Sequence, residues 1–398
     1  MKKLIICKFI YLCLVLIACN AQIKEQTKTG NDKIIGGGCE GCELMYIGTP
    51  EKITAESTSD GWRDGTQKLM ITGKVFQRDG RTPAPDVIVY YWHTDEKGLY
   101  SSKKTTPAAA REHGHLRGWV KSDDNGNYTI KTSRPANYPD EEMAAHIHLS
   151  IKEPAIKNEY FADLYFDDDP LYLGHKKKYG QLDRAGTEIL RPLIKDNIQI
   201  AEHDIILGLN IPHYPTDTST RIRSGLQIGE DQPSFLPIHA YGPDKGTQTC
   251  PVCKYGRYHG IIYFAGANTD WNKVKQWLQF LEAESLKRTQ YLKVYFVYGN
   301  SNNYSKEERQ RLLEKTGDEL SIKNTALTFV PSFSDKATEA YLNKINPEAE
   351  NTFIIYKHRV IVEKFINLQP VRDNFNRISS ALDHTRGNYF QLPAPAHQ

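Results

Sequence analysis

An excess of charge of either sign is missing from this sequence. Its 398 residues carry 51 Lys and Arg against 48 Asp and Glu, a formal net charge of +3. That balance, with no long basic cluster, offers no case for nucleic-acid binding. Long apolar runs are also missing. Beyond the N-terminus no stretch is long enough to span a membrane as a helix. No internal repeat relates the two halves, so they are read as different domains. An unpaired cysteine is missing too. Of seven cysteines, Cys7 and Cys13 fall in an N-terminal signal-like run and Cys19 at its end. The other four form two CxxC pairs, Cys39 with Cys42 and Cys250 with Cys253. That tidy count suits an oxidising compartment.

What is present is ordinary in bulk and specific in detail. Hydrophobic residues make up 39% and charged residues 25%, so sizeable cores are available and global disorder is excluded. The length predicts two or three domains. The N-terminus reads MKKLIICKFIYLCLVLIACNAQ. Lys2 and Lys3 precede an apolar run that Lys8 interrupts and that is short for a transmembrane helix, as in a signal peptide over residues 1–19. Its LIAC end resembles the lipobox of bacterial lipoproteins. That resemblance implies lipidation of Cys19 and a lipid-anchored place in the bacterial cell envelope, periplasm-facing or outer membrane. An ordinary signal peptide cut nearby is the alternative, and either implies export.

Residues 20–38, polar and closing on Gly36, Gly37 and Gly38, read as a tether. Residues 39–66 form a lead-in holding the first CxxC. From 67 to 213 the pattern is strands and turns. KLMITGKVFQRDG, DVIVYYWHTDEKGLY, GWVKSDDNGNYTIKTS, HIHLSIKE and HDIILGLNI alternate or run apolar, parted by turns such as Asn125-Gly126. Few helical patterns intervene, which predicts an all-β sandwich. Residues 214–240 read as a linker. From 241 to 398 strands and helices alternate, which predicts an α/β domain. GIIYFAG, YLKVYFVYG and ALTFVP are the strands, and WNKVKQWLQFLEAESL, SKEERQRLLEKTG and KATEAYLNKI the helices. A hairpin around Lys357-His358 and a last helix, VRDNFNRISSALDH, complete it.

Within the β-rich part, His146 and His148 alternate and so share one face of a strand. Two imidazoles side by side are poor core material, and the spacing suits a metal. Four phrases stand in order around them: LMITGKVFQRDGRTPAPDVIVYYWHTDEKGLY, LRGWVKSDDNGNYTIKTSRPANYP, AAHIHLSI and LYFDDDP. Together they resemble the intradiol ring-cleavage dioxygenases, the protocatechuate and catechol dioxygenase family, over roughly residues 67–213. The resemblance implies a β-sandwich that holds one non-haem Fe(III) through Tyr100, Tyr138, His146 and His148. Tyr138 and His146 would be axial, Tyr100 and His148 equatorial. It implies a catechol-type aromatic diol and O2 as substrates and a muconate-type diacid as product. Tyr138 would be the ligand that substrate displaces and the base for its proton. A hard ferric ion prefers charged oxygen, which phenolate supplies, and imidazole also suits iron.

Two positions depart from the family pattern. Met143 stands where the family has Arg, three residues ahead of His146, and Asp163 stands where it commonly has Gln. Arg117 and Arg134 are the nearby candidates to restore the guanidinium. His93, His113 and His115 read as surface or supporting residues.

The region from Gly260 onward resembles a thioredoxin-like domain. Cys250 and Cys253 nevertheless precede the strand GIIYF, where a thioredoxin-type pair would follow it. Asn268, Thr269 and Asp270 after that strand look like a helix N-cap. Three readings of the cysteines stay open. They are a structural disulfide in each pair, redox activity at Cys250 and Cys253, or a zinc or cross-paired site shared by all four. The rival functions are an exported thiol-disulfide or peroxiredoxin-like redox protein and a non-catalytic binding sandwich. A homo-oligomer is compatible with all of them by analogy alone.

Overall fold

A computed structural model describes residues 33–39, 41–64, 67–139, 142–215, 222–267, 269–302 and 304–387. The expected signal peptide with Cys7 and Cys13, the expected lipidation position Cys19, and Asn268 lie outside the described residues. From Ile34 onward the chain forms one compact unit. No helix among the described residues is long and apolar enough to cross a membrane.

The β-rich part is two facing sheets. One runs Glu56–Thr58, Asn127–Ser133, Lys68–Phe76, Ile198–Glu202, Leu193–Lys195, with Ile205–Ile206 also paired to Lys68–Phe76. The other runs Arg117–Lys121, Ile88–His93, His146–Lys152, Tyr160–Phe166, Ile189–Leu190. Strand alternation explains how they close on each other. Leu69, Ile71 and Val75 of one strand, Tyr128 and Ile130 of its neighbour, and Val89, Tyr91, Ile147, Leu149 and Ile151 of the other sheet share one buried core. Because odd positions of His146–Lys152 face that core, His146 and His148 face away from it. The sheets are mixed. Glu56–Thr58 pairs parallel with Asn127–Ser133, and Ile198–Glu202 pairs parallel with Lys68–Phe76.

The C-terminal part is a six-stranded sheet in the order Ile238–Tyr241, Thr325–Val330, Leu292–Gly299, His259–Ala265, Asn351–Lys357, Val360–Ile366. The three strands from Thr325–Val330 to His259–Ala265 are parallel neighbours, and the last two form an antiparallel hairpin. His259–Ala265 is buried at every position, as a strand covered on both faces must be. The helix Trp271–Lys287 turns Val274, Trp277, Leu278 and Leu281 onto the sheet. Asp270 caps it through the Asn272 amide, and Ser305 caps Lys306–Glu319 through the Glu308 amide.

Two expectations need correction here. KATEAYLNKI is not a helix but a single 3-10 turn, Ala340–Asn343. Thr338 bonds Asp335 locally, and Asn343 turns inward to accept from Gln232, 2.6 Å away. Those bonds outweigh a modest helical propensity. The described part of the supposed linker, 222–240, is packed structure. Phe235 is 0% exposed within the core under the C-terminal sheet, and the Gly229 amide bonds the Ile361 carbonyl. Polar composition concealed that burial because the segment makes its hydrogen bonds to its neighbours. Phe235→Ala is therefore expected to cost about 3–5 kcal/mol, read as a lower urea midpoint. An unchanged midpoint would restore the linker reading.

Candidate metal centre

The four side chains singled out in the sequence meet at one point. The Tyr100 hydroxyl lies 2.7 Å from that of Tyr138, and the Tyr138 hydroxyl 3.3 Å from His146 Nε2. His146 Nε2 lies 3.1 Å from His148 Nε2, and His148 Nε2 3.1 Å from the Tyr100 hydroxyl. The four donors thus form a closed ring.

Local structure explains the meeting. His146 and His148 come from one strand face. Tyr100 and Tyr138 come from two loops that are zipped together. Thr94 donates to the Ala136 carbonyl at 2.6 Å, and the Ala136 amide to the Asp95 carbonyl at 3.2 Å. Asp95 Oδ1 accepts the amides of Lys97 and Leu99 at 2.9 and 3.1 Å. The turn passes through Gly98 at φ 76°, where a Cβ would run into the Asn137 carbonyl oxygen. Only glycine permits both that backbone and that approach.

The protons on the two imidazoles can be assigned from their partners. His146 Nδ1 faces the Ala144 carbonyl at 2.8 Å, and His148 Nδ1 faces Asp163 Oδ1 at 2.7 Å. Both partners are acceptors, so both Nδ1 atoms carry a proton and, in the neutral imidazoles, both Nε2 atoms present lone pairs. Burial first, and then the neighbouring His148, lowers the His146 pKa to about 4. Two phenol protons must then serve four close contacts, and the contact between the two Nε2 atoms receives none. A cation serves all four. Nitrogen and oxygen ligands bind a first-row ion at about 2.0–2.2 Å, which spaces neighbouring donors ~3 Å apart. The observed ring fits. Among the described residues no group of three or more His, Cys, Asp or Glu could hold a metal, so an ion here depends on phenol oxygen.

Cross-strand register supplies the supports. Trp92 and Asp163 lie opposite His148, and Tyr165 lies opposite His146. Trp92 stacks on His148 with ring centroids 4.9 Å apart, and His113 stacks on Trp92 at 4.1 Å. Burial pushes the Asp163 carboxyl up, but the hydrogen bond from His148, and the charge of His148 when that ring is protonated, more than offset it and hold the group below the usual range. Burial, aided by the hydrogen bond with Tyr138, pushes the Tyr100 phenol well above its ordinary value. A bound cation would reverse that. Tyr100, Tyr138 and His148 are only half-buried, so the ring opens toward solvent.

The arginine candidates need correction. Arg117 donates to the Tyr90 hydroxyl at 3.1 Å and to the Ile47 carbonyl, and lies over Trp119. Arg134 makes a two-pronged pair with Asp168, both bonds 2.8 Å. Both guanidinium groups are thus engaged by partners other than the four donors. Arg184, which the sequence reading missed, lines a cavity of about 230 Å³ with Met143, Asp163, Tyr165 and His175. The described lining of that cavity includes none of the four donors. The opposed register of Asp163 and Tyr165 with the two histidines was the available signal for their part in the site. His93 and His113 are buried, whereas His115 is half-buried and bonds the Ser101 carbonyl at 2.7 Å. Each CxxC closes on itself, Cys39 with Cys42 and Cys250 with Cys253, so no thiolate site shared by all four forms. Cys250 also caps the short helix Pro251–Tyr255.

Residues 44–177 match a family model described as a dioxygenase. Catechol 1,2-dioxygenase of Acinetobacter baylyi is 32% identical over 149 residues, covering 36% of this chain and 44% of that protein. The matched segment contains all four donors, Tyr100, Tyr138, His146 and His148. Catechol 1,2-dioxygenase 1 of Acinetobacter lwoffii is 37% identical over 108 residues, 25% of this chain and 34% of its own. The chain thus spans less than half the length of these curated relatives. Among solved structures, catechol 1,2-dioxygenase of Acinetobacter radioresistens aligns with 44% of this chain and 63% of its own, at 18% identity and a TM-score of 0.33.

Burial within the β-rich part leaves a pH signature. His93 bonds Thr132 and the Thr94 carbonyl, both at 2.7 Å, and burial lowers its pKa from 6.5 to about 4. The unfolded chain then binds the proton more tightly, so stability from this group is complete above pH 6.5 and lost as pH falls toward 4. Thermal melts across that window should fall with pH in the wild type and fall less steeply in His93→Asn. Parallel slopes would remove His93 as a source.

Proposed function

We propose that the protein is a non-haem Fe(III) intradiol dioxygenase that opens a catechol-type ring between its two hydroxyl-bearing carbons to give a muconate-type diacid. One observation carries this reading. Two imidazole nitrogens with lone pairs stand 3.1 Å apart, and two phenol oxygens close the ring around them. Hard oxygen donors and imidazole together suit ferric iron. The names of the curated relatives support the diol class.

Tyr100, Tyr138, His146 and His148 would hold the iron. Bound there, it would supply Lewis-acid chemistry, orienting the diol oxygens and polarising the ring toward O2. The protein's residues do the rest. The Ala144 carbonyl and Asp163 hold the imidazoles in the tautomer that leaves Nε2 open. Trp92 pins the plane of His148 by stacking. Tyr138, like Tyr100, comes from a loop and not a strand, so it is less bound by sheet register than the two histidines. Its oxygen accepts the proton that a diol hydroxyl gives up.

The α/β part is read as thioredoxin-like. Its parallel strands, antiparallel hairpin and closing helix support this, while Asp270 at the helix cap stands where a reactive cysteine would be expected. The protein is read as exported and lipid-anchored at Cys19; the two closed disulfides support the export part of that reading.

The test is iron analysis with a visible spectrum on the full chain, then O2 uptake with catechol. About one iron per chain, a tyrosinate-to-iron band and its shift on adding catechol are expected. Tyr138→Phe should alter the band and lower turnover about a hundredfold or more. Asp163→Asn should weaken metal binding or activity about 10- to 100-fold. A colourless protein that stays iron-free after iron is supplied sinks the proposal.

A further inference from the structure

The run FDDDP, with Asp167, Asp168 and Asp169 consecutive, is electrostatically unfavourable unless each carboxylate has its own partner. Each has one, and the three partners come from three different places. Arg257, in the C-terminal α/β part, donates to Asp167 Oδ2 at 2.8 Å. Its other nitrogen reaches the Pro192 carbonyl at 3.4 Å. One guanidinium thus ties the ends of two paired strands, Tyr160–Phe166 and Ile189–Leu190. Asp168 takes both prongs of Arg134, at the start of the loop that carries Tyr138. Asp169 Oδ2 accepts the amide of Ala145, the residue before His146, at 2.8 Å. Its Oδ1 accepts the Leu171 amide at 2.8 Å, and its own amide bonds the Phe166 carbonyl at 3.2 Å, so the turn is tightly closed.

The turn therefore holds the approaches to two of the four donors, Tyr138 and His146. Its first aspartate, Asp167, is held from outside the sandwich. Asp167 Oδ1 is buried without a hydrogen-bond partner, so the Arg257 bond is the principal satisfaction of that carboxylate. We infer that Arg257 is a positioning residue for the donor ring, acting through the Asp167–Asp169 turn, and that the C-terminal α/β part thereby sets how tightly the sandwich holds its metal. The inference rests on the reading of the donor ring as an iron site.

A second bridge between the same two parts provides the control. Arg81 pairs with Glu363, its Nε 3.1 and 2.9 Å from the two carboxylate oxygens, at a place with no link to this turn. The experiment uses the full iron-loaded chain and follows iron loss to a chelator, the tyrosinate-to-iron band and the thermal midpoint. Arg257→Ala should lose iron about tenfold faster, the scale of an outer-shell partner, and shift the band. Arg257→Lys should recover part of both. Glu363→Gln should keep wild-type iron retention and band, whatever its midpoint. Wild-type retention in Arg257→Ala, or equal losses in Arg257→Ala and Glu363→Gln, would overturn the inference and leave a plain interdomain clamp. If the wild type binds no iron, the iron reading falls by itself. The positioning is then decided on the metal-free chain by the imidazole resonances of His146. A shift in Arg257→Ala but not in Glu363→Gln upholds it, and no shift overturns it.

Discussion

Two imidazole Nε2 atoms, without protons when both rings are neutral, face each other across 3.1 Å, and the surrounding structure is arranged to keep them there. Lone pair against lone pair is repulsive. The contact persists because each ring is held from behind. The Ala144 carbonyl and the Asp163 carboxylate take the Nδ1 protons, and Trp92 and Tyr165 flank the rings from adjacent strands. Two phenol oxygens from packed loops complete the surround. Such a site is costly for an empty protein and favourable for one that holds a cation, which is why the donor ring carries the functional argument.

The position of that ring follows from sheet geometry. Ile147, Leu149 and Ile151 secure their strand to the core, and the alternate residues are thereby free for chemistry. The outer face is shielded in part by the 3-10 turn Cys42–Tyr46, whose Met45 packs on Tyr90 and Trp92. The rest of the support arrives from the C-terminal part. Arg191 with Asp231 and Arg257 with Asp167 form ion pairs across the junction, 2.7 and 2.8 Å long, the first almost wholly buried. Buried pairs give weak net stability but are costly to break. They therefore hold two otherwise separable folds in one relation, and the aspartate turn carries that relation toward the donor ring.

Much of this was legible in the sequence because it depends on local rules. The alternation of KLMITGKVF and HIHLSIK marked strands and told which side each residue faced. The capped, periodic helices Trp271–Lys287 and Lys306–Glu319 were equally plain. The region 222–240 and the KATEAYLNKI segment were misread because tertiary bonds such as Gln232 to Asn343 decided them. Arg117 and Arg134 were misplaced for the same reason. A long flexible cation goes to whichever anion or aromatic face the fold presents, and nothing adjacent in the chain says which.

The sequence by itself put His146 and His148 on one face of a strand, since strand period is a property of a few neighbouring residues, while Tyr100 and Tyr138 were named through the family resemblance. Only the tertiary structure decided the partners: which strand lies opposite His148, which carbonyl takes the His146 proton, and which guanidinium reaches Asp167. Those choices depend on register and on contacts between residues as far apart as Asp167 and Arg257. Only the packed chain brings such positions within hydrogen-bonding reach.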